Sequence, residues 1–66
     1  MDMTCDDFND IFNIGGYFKY YPLLERLEYI EVKTITEAFL FCGEAHVEVE
    51  GAKGRISIKH LEKLIK

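Results

Sequence analysis

Apolar and polar positions change period along this chain, and each change marks an element. Phe8, Ile11 and Phe12 recur at i, i+3 and i+4, the spacing of one helical face. Thr4 stands ahead of them as a good N-cap, with Asp7 as a capping-box partner three residues on. Asp6 and Asp7 suit the positive end of a helix dipole, and Met3 and Phe8 fall at the two ends of a hydrophobic staple. Gly15 offers the left-handed backbone that closes helices. The pattern predicts a helix over about 5–14.

Four aromatics follow within five residues: Tyr17, Phe18, Tyr20 and Tyr21. Pro22 suits a first helical turn, and Leu23, Leu27 and Ile30 keep helical spacing behind it. From Ile30 the pattern alternates, with Ile30, Val32 and Thr34 set against Glu31 and Lys33. The expectation is a short helix over 22–30 passing into a strand. Residues 35–43 fit two states, a short helix capped by Thr36 or a buried strand, because periodicity does not separate them over so few positions.

Strict alternation returns after Gly43. Ala45, Val47 and Val49 alternate with His46, Glu48 and Glu50, and Ile56 and Ile58 alternate with Arg55, Ser57 and Lys59. Gly51-Ala52-Lys53-Gly54 between them reads as a hairpin loop, giving a clear hairpin over 45–59. Pairing Glu50 with Arg55 sets Val49 opposite Ile56 and Val47 opposite Ile58 on one face. It sets Glu48 opposite Ser57 and His46 opposite Lys59 on the other. A short helix over about 60–66, with Leu61, Leu64 and Ile65 inward, completes the chain. The fold class is α+β: a single domain, 1–66, built on an antiparallel sheet.

Length sharpens this picture. A chain of 66 residues buries only about 60% of its unfolded surface, so it needs good packing, a cross-link, a metal or a partner. Nine Phe and Tyr residues are many for its size, which predicts burial across a homodimer interface or on a protein partner. Cys5 and Cys42 are too few for a disulfide framework and lie in no zinc-site spacing. Two free, partly buried thiols in a reducing compartment are the expectation. No apolar run approaches the roughly 18 residues of a membrane span, and the first residues lack the basic-then-apolar order of a signal peptide. A cytoplasmic location follows as an expectation.

Charge is unevenly placed. Residues 1–50 carry three bases and eleven acids, a balance of −8, whereas 51–66 carry five bases and one acid, a balance of +4. Such a division marks an anion-binding end or internal complementarity.

Catalytic chemistry is thinly represented. Ser57 is the only serine, and it sits mid-strand. Cys5 or Cys42 with His46 or His60 spells a thiol–imidazole pair, but nothing in the sequence brings the two together. Asp6, Asp7, Asn9 and Asp10 lack the spacing, central Gly and closing Glu of a calcium loop. No catalytic residue, cofactor or metal is therefore expected. Gly51-Ala52-Lys53-Gly54 superficially resembles the GxxG loop of KH domains, where helices flank the loop; here strands do.

Two function classes remain. The first is a non-enzymatic protein-binding module, an adaptor, inhibitor or regulatory subunit of the kind carried by phage and mobile elements. It would act through an aromatic patch of Tyr17, Phe18, Tyr20 and Tyr21 and an acidic helix presenting Asp6, Asp7 and Asp10. The second resembles a winged-helix nucleic-acid binder, contacting phosphate through Lys53, Arg55, Lys59 and Lys63. Its reading helix would be 36–42, which has no Arg, Lys, Asn or Gln.

Overall fold

The computed structural model describes residues 2–64. One short helix, α1 (Cys5–Ile11), precedes six strands: β1 (Tyr17–Tyr20), β2 (Ile30–Thr34), β3 (Phe39–Phe41), β4 (Glu44–Glu50), β5 (Arg55–Ser57) and β6 (Leu61–Lys63). A 3-10 turn (Ile58–His60) joins the last two strands. The strands form an antiparallel sheet in the order β3-β4-β2-β1-β6, with β5 on β4, and the sheet curls into a half-barrel. The α+β class therefore holds, with a sheet that dominates and only one α-helix among the described residues.

The helix start follows its sequence signals. Thr4 is the N-cap, and its Oγ1 accepts from the Asp7 backbone N–H at 3.1 Å. The helix ends at Ile11, three residues short of the expected boundary, with Phe12 already extended. The following turn is claimed by β2. Gly15, at φ +95°, donates its N–H to both the carbonyl and the Oγ1 of Thr34, and Gly16 donates to the same Oγ1 at 3.2 Å. Thr34 is buried, and these bonds satisfy its hydroxyl. Ending α1 early also lets Phe12 meet Phe8 and Phe18, with ring centroids 5.0 and 5.1 Å away.

No helix forms over 22–30. β1 and β2 form a hairpin in which Tyr20 pairs with Ile30, so the ends of the connection stand about 5 Å apart. Eight residues of helix would separate them by about 12 Å. Closure of the hairpin overrides the helical pattern of Leu23, Leu27 and Ile30, and 21–29 becomes an irregular loop.

Within the ambiguous stretch 35–43, Phe39–Phe41 forms a strand and 35–38 are irregular; the strand lies at the end of the sheet with Leu40 and Phe41 exposed, not buried as the strand alternative expected. Phe39–Phe41 pairs with β4 through Phe39↔His46, Leu40↔Ala45 and Phe41↔Glu44. Cys42 and Gly43 make the connection, both at positive φ, +53° and +79°. A two-residue turn with both φ positive is the type I′ hairpin, for which Asn-Gly is preferred and cysteine is strained. Cys42→Asn is expected to raise stability by about 0.5–1 kcal/mol, read as a higher urea midpoint at unchanged slope.

The β4–β5 hairpin is present, but its register differs by two residues from the expected one. Val47 faces Ile56, Glu48 faces Arg55 and His46 faces Ser57. The end of β4 turns toward β2, with Thr34↔Val49 and Lys33↔Glu50 paired. Gly51, at φ +110°, lies so close to β2 that a Cβ there would meet the Glu31 carbonyl at 3.1 Å. The connection between β4 and β5 is lengthened accordingly. Because a slip of two preserves side-chain parity, Val47 and Ile56 still face the core.

Among the described residues, 60–64 do not form the helix expected over 60–66. His60 ends the 3-10 turn, and Leu61–Lys63 pairs with β1 through Tyr20↔Leu61, Lys19↔Glu62 and Phe18↔Lys63. The open edge of β1 offers backbone partners, and the segment pairs there instead of coiling. Leu61 does point inward, and Ile65 and Lys66 lie outside the described residues. The core comprises Phe8, Phe18, Val32, Ala38, Val47, Val49, Ile56, Ile58 and Leu61.

Candidate functional site

The aromatic run divides as β1 requires. Successive residues of a strand face opposite sides. Phe18 is 0% exposed and belongs to the core, which removes it from the proposed interface. Tyr20 shares its face, packs against the core and meets the His60 ring edge-on at 6.1 Å. Tyr17 lies on the outer face, with Lys33 Nζ 5.9 Å from its ring. Tyr21, beyond the strand, stacks obliquely on Tyr29 at 5.6 Å. Four aromatics close in sequence thus do not make one patch.

Exposed apolar side chains are spread over the molecule, at Ile11, Ile14, Ile35, Leu40 and Phe41 among others, and a run of them lies on the loop that Tyr21 opens. Leu23, Leu24 and Leu27 are 51%, 56% and 92% exposed, and Tyr29 and Ile30 are close to half exposed. Leu24 and Leu27 line one open groove with Tyr21, Arg26, Lys59, His60, Leu61 and Glu62. Leu23 lines a smaller one with Pro22, Arg26 and Glu28. Within the loop the Arg26 N–H bonds the Leu23 carbonyl at 3.0 Å, and Arg26 lies 3.4 Å from Glu28.

The root of the loop is pinned on both sides. Tyr21 N–H donates to the His60 carbonyl at 2.9 Å, and His60 Nδ1 lies 2.8 Å from the Tyr21 carbonyl. That distance requires the proton on Nδ1, the donor tautomer. On the other side Lys19 Nζ sits 5.0 Å from the Tyr29 ring centroid and 3.6 Å from Glu62. A fixed base therefore carries a tip of bare leucines.

The acidic residues Asp6, Asp7 and Asp10 are all exposed on α1. Asp6 and Asp7 occupy its first turn, where carboxylates stabilise the helix end without any ligand. The basic residues do not converge on one feature. Lys53 is in the β4–β5 loop. The Arg55 guanidinium lies 4.1 Å from the Phe41 ring centroid rather than against Glu50. Lys59 forms a 3.0 Å ion pair with Glu44, whose carboxyl that hydrogen bond holds below its usual pKa. Lys63, on β6, donates to the Tyr17 carbonyl at 3.2 Å and covers the Phe18 ring.

Cys5 is half-buried and Cys42 exposed, both as free thiols, so only one of the two matches the expected partial burial. His46 sits opposite Ser57 and Phe39 rather than Lys59, with its ring 5.3 Å from Phe41. Among the described residues, no group of three or more His, Cys, Asp or Glu is placed to hold a metal ion, and no helix is long and apolar enough to cross a membrane.

Leu23 and Leu27 share with Ile30 the spacing of one helix face, which hides them as surface residues of a loop. The legible signal was the strand pattern on either side of them, which implies a closed hairpin and a loop between. No protein-family model matches the chain, and comparison with curated proteins and with solved structures finds no match either.

Proposed function

We propose that the chain is a non-enzymatic protein-binding module whose docking surface is the β1–β2 loop, with Leu24 and Leu27 at its centre and Tyr21 and Tyr29 at its base. The observation that carries the reading is the placement of three leucines, one of them 92% exposed, on a loop anchored at both ends. A 66-residue chain short of core has reason to bury such side chains. Leaving them in water is unfavourable unless a partner covers them. A fixed root reduces the ordering entropy lost on docking, as in pre-organised interfaces. Such a module acts as an adaptor, inhibitor or regulatory subunit.

The nucleic-acid reading is supported less well. Arg55, Lys59 and Lys63 each already have an internal partner, and they lie on different elements, so no continuous phosphate-binding track is assembled. The acidic helix contributes charge around the module rather than its centre.

The test is affinity capture from source lysate with the wild-type chain and with the double substitution Leu24→Glu, Leu27→Glu, each with and without nuclease. A protein recovered in stoichiometric amount by the wild type, retained after nuclease and lost with the double variant is the expected result. Recovery that vanishes with nuclease, or that the double variant leaves intact, would sink this reading.

A further inference from the structure

We infer that the Asn9 carboxamide closes the free edge of β3: it bonds where a neighbouring strand would, and so keeps that edge from pairing with the β3 of a second copy. The inference is independent of the β1–β2 loop and is carried by backbone geometry. Along an antiparallel strand, N–H and C=O groups point alternately toward one neighbour and toward the other. On β4 the even-numbered residues point toward β3. Glu48 shows this direction, since its carbonyl accepts from the Ile35 N–H at 3.0 Å and its N–H donates to Thr36 Oγ1 at 3.2 Å. Glu44 and His46 share it, and they stand opposite Phe41 and Phe39. Phe39 and Phe41 therefore turn their backbone groups inward to β4. Leu40 between them, and Ala38 two residues before it, turn theirs outward.

Both outward groups of Ala38 are occupied. Its N–H donates to Asn9 Oδ1 at 2.7 Å, and its carbonyl accepts from Asn9 Nδ2 at 3.1 Å. A donor and an acceptor on one planar amide reproduce the two bonds that a facing strand residue makes. Leu40 has no such cover: among the described residues it makes no hydrogen bond outside the ladder. Its side chain is 73% exposed, that of Phe41 is 40% exposed, and 39–41 carry no charge. Free edges are ordinarily blunted by charged side chains, as β6 at the far end of the sheet is by Glu62 and Lys63. β3 lacks that protection and has Asn9 instead. With Ala38 capped, one open position remains before the Cys42-Gly43 turn, too little to hold an added strand. With Ala38 released, two successive open positions form a self-complementary edge. Two copies set antiparallel about a twofold axis through Phe39 place Ala38 of each opposite Leu40 of the other, and both pairs exchange N–H and C=O bonds.

The experiment is sedimentation velocity with light scattering from about 1 μM to about 1 mM, the range in which weak dimers dissociate. It compares the full chain with Asn9→Ala, with Asn9→Ala plus Leu40→Lys, and with Phe18→Leu, all checked for folding by circular dichroism. Asn9→Ala is expected to self-associate at least about tenfold more tightly than the wild type. Adding Leu40→Lys is expected to return association to the wild-type level while the lowered urea midpoint of Asn9→Ala persists. Phe18→Leu, destabilised with its β3 edge still capped, is expected to gain no association. Asn9→Ala that associates no more than the wild type overturns the inference. So does association that survives Leu40→Lys, or that Phe18→Leu reproduces, since loss of stability alone would then explain it. If Asn9→Ala fails to fold, hydrogen exchange of the wild-type chain at low micromolar concentration decides the matter. The Ala38, Phe39 and Phe41 amides are expected to be protected and the Leu40 amide to exchange as in an open chain. A protected Leu40 amide, or an unprotected Ala38 amide, overturns the inference.

Discussion

Phe18→Ala is expected to leave much of the chain unfolded at 25 °C. Phe18 is 0% exposed, sits at the middle of β1 and is enclosed by Phe8 and Phe12 with centroids 5.5 and 5.1 Å away. Truncating a buried phenylalanine costs about 3–5 kcal/mol through lost burial and the cavity left behind. A domain of this length has only about 3–10 kcal/mol to lose. Collapse around the cavity is hindered, because β1 is paired on both edges, with β2 and with β6. Far-UV circular dichroism and a urea titration read the effect directly. Phe18→Leu, which keeps most of the volume, is expected to stay folded with a lower midpoint. A folded Phe18→Ala of near wild-type midpoint would show that α1 and the sheet do not depend on this cluster. The contrast with Leu27 is informative: Leu27→Ala removes a side chain that is already 92% exposed and is expected to shift stability by less than about 0.5 kcal/mol.

That contrast bears on how the interaction surface is probed. Tyr20→Ala looks from the sequence like a clean surface substitution, yet Tyr20 packs against the core and meets His60. A binding defect in that variant would mix lost contacts with lost stability. Leu24 and Leu27 separate the two, because neither is part of the core cluster.

The parts legible in the sequence are those decided by neighbours a few residues apart. Thr4 caps α1 because a hydroxyl at that position reaches the N–H three residues on, whatever the remainder of the fold does. The alternation of Val47, Val49, Ile56 and Ile58 fixes which side chains turn inward, and all four are buried. What the pattern does not encode is decided by distant segments. Residues 22–30 carry a sound helical stripe, but Tyr20 and Ile30 are paired across a hairpin, and that closure is invisible to periodicity. Leu61 is inward in either state, so helix and strand differ only in whether the edge of β1 is free to pair. The hairpin register slipped by two for a similar reason, since the end of β4 answers to β2 as well as to β5. Aromatic clustering in sequence is likewise not clustering in space. Alternation along β1 sends Phe18 and Tyr20 to one side and Tyr17 to the other.

Asn9→Ala is expected to cost about 2–3 kcal/mol, a large effect for a half-buried polar residue. Asn9 is the hydrogen-bonded link between α1 and the segment joining β2 to β3. Its Oδ1 accepts from the Ala38 N–H at 2.7 Å, and its Nδ2 donates to the Ala38 carbonyl at 3.1 Å. Ala38 is buried, so its backbone groups lose their partners when the amide is removed. Two hydrogen bonds at about 1 kcal/mol each, together with the desolvation of groups left unmatched, give that magnitude. Hydrogen exchange at the Ala38 amide is expected to accelerate more than at Val47, which lies in the middle of β4 and keeps its pairing with β5. Asn9→Asp tests the geometry further. The new carboxylate retains an acceptor for the Ala38 N–H but sets a negative oxygen against the Ala38 carbonyl. Its protonated form restores a donor there, so the folded state binds that proton more tightly than the unfolded chain does. Stability of Asn9→Asp relative to the parent is then highest in acid and falls as pH rises through and above the ordinary carboxylate value of about 4. Urea midpoints of the two chains at pH 3 and pH 7 decide it: a gap that is no wider at pH 7 would show that the Nδ2 bond to Ala38 contributes nothing.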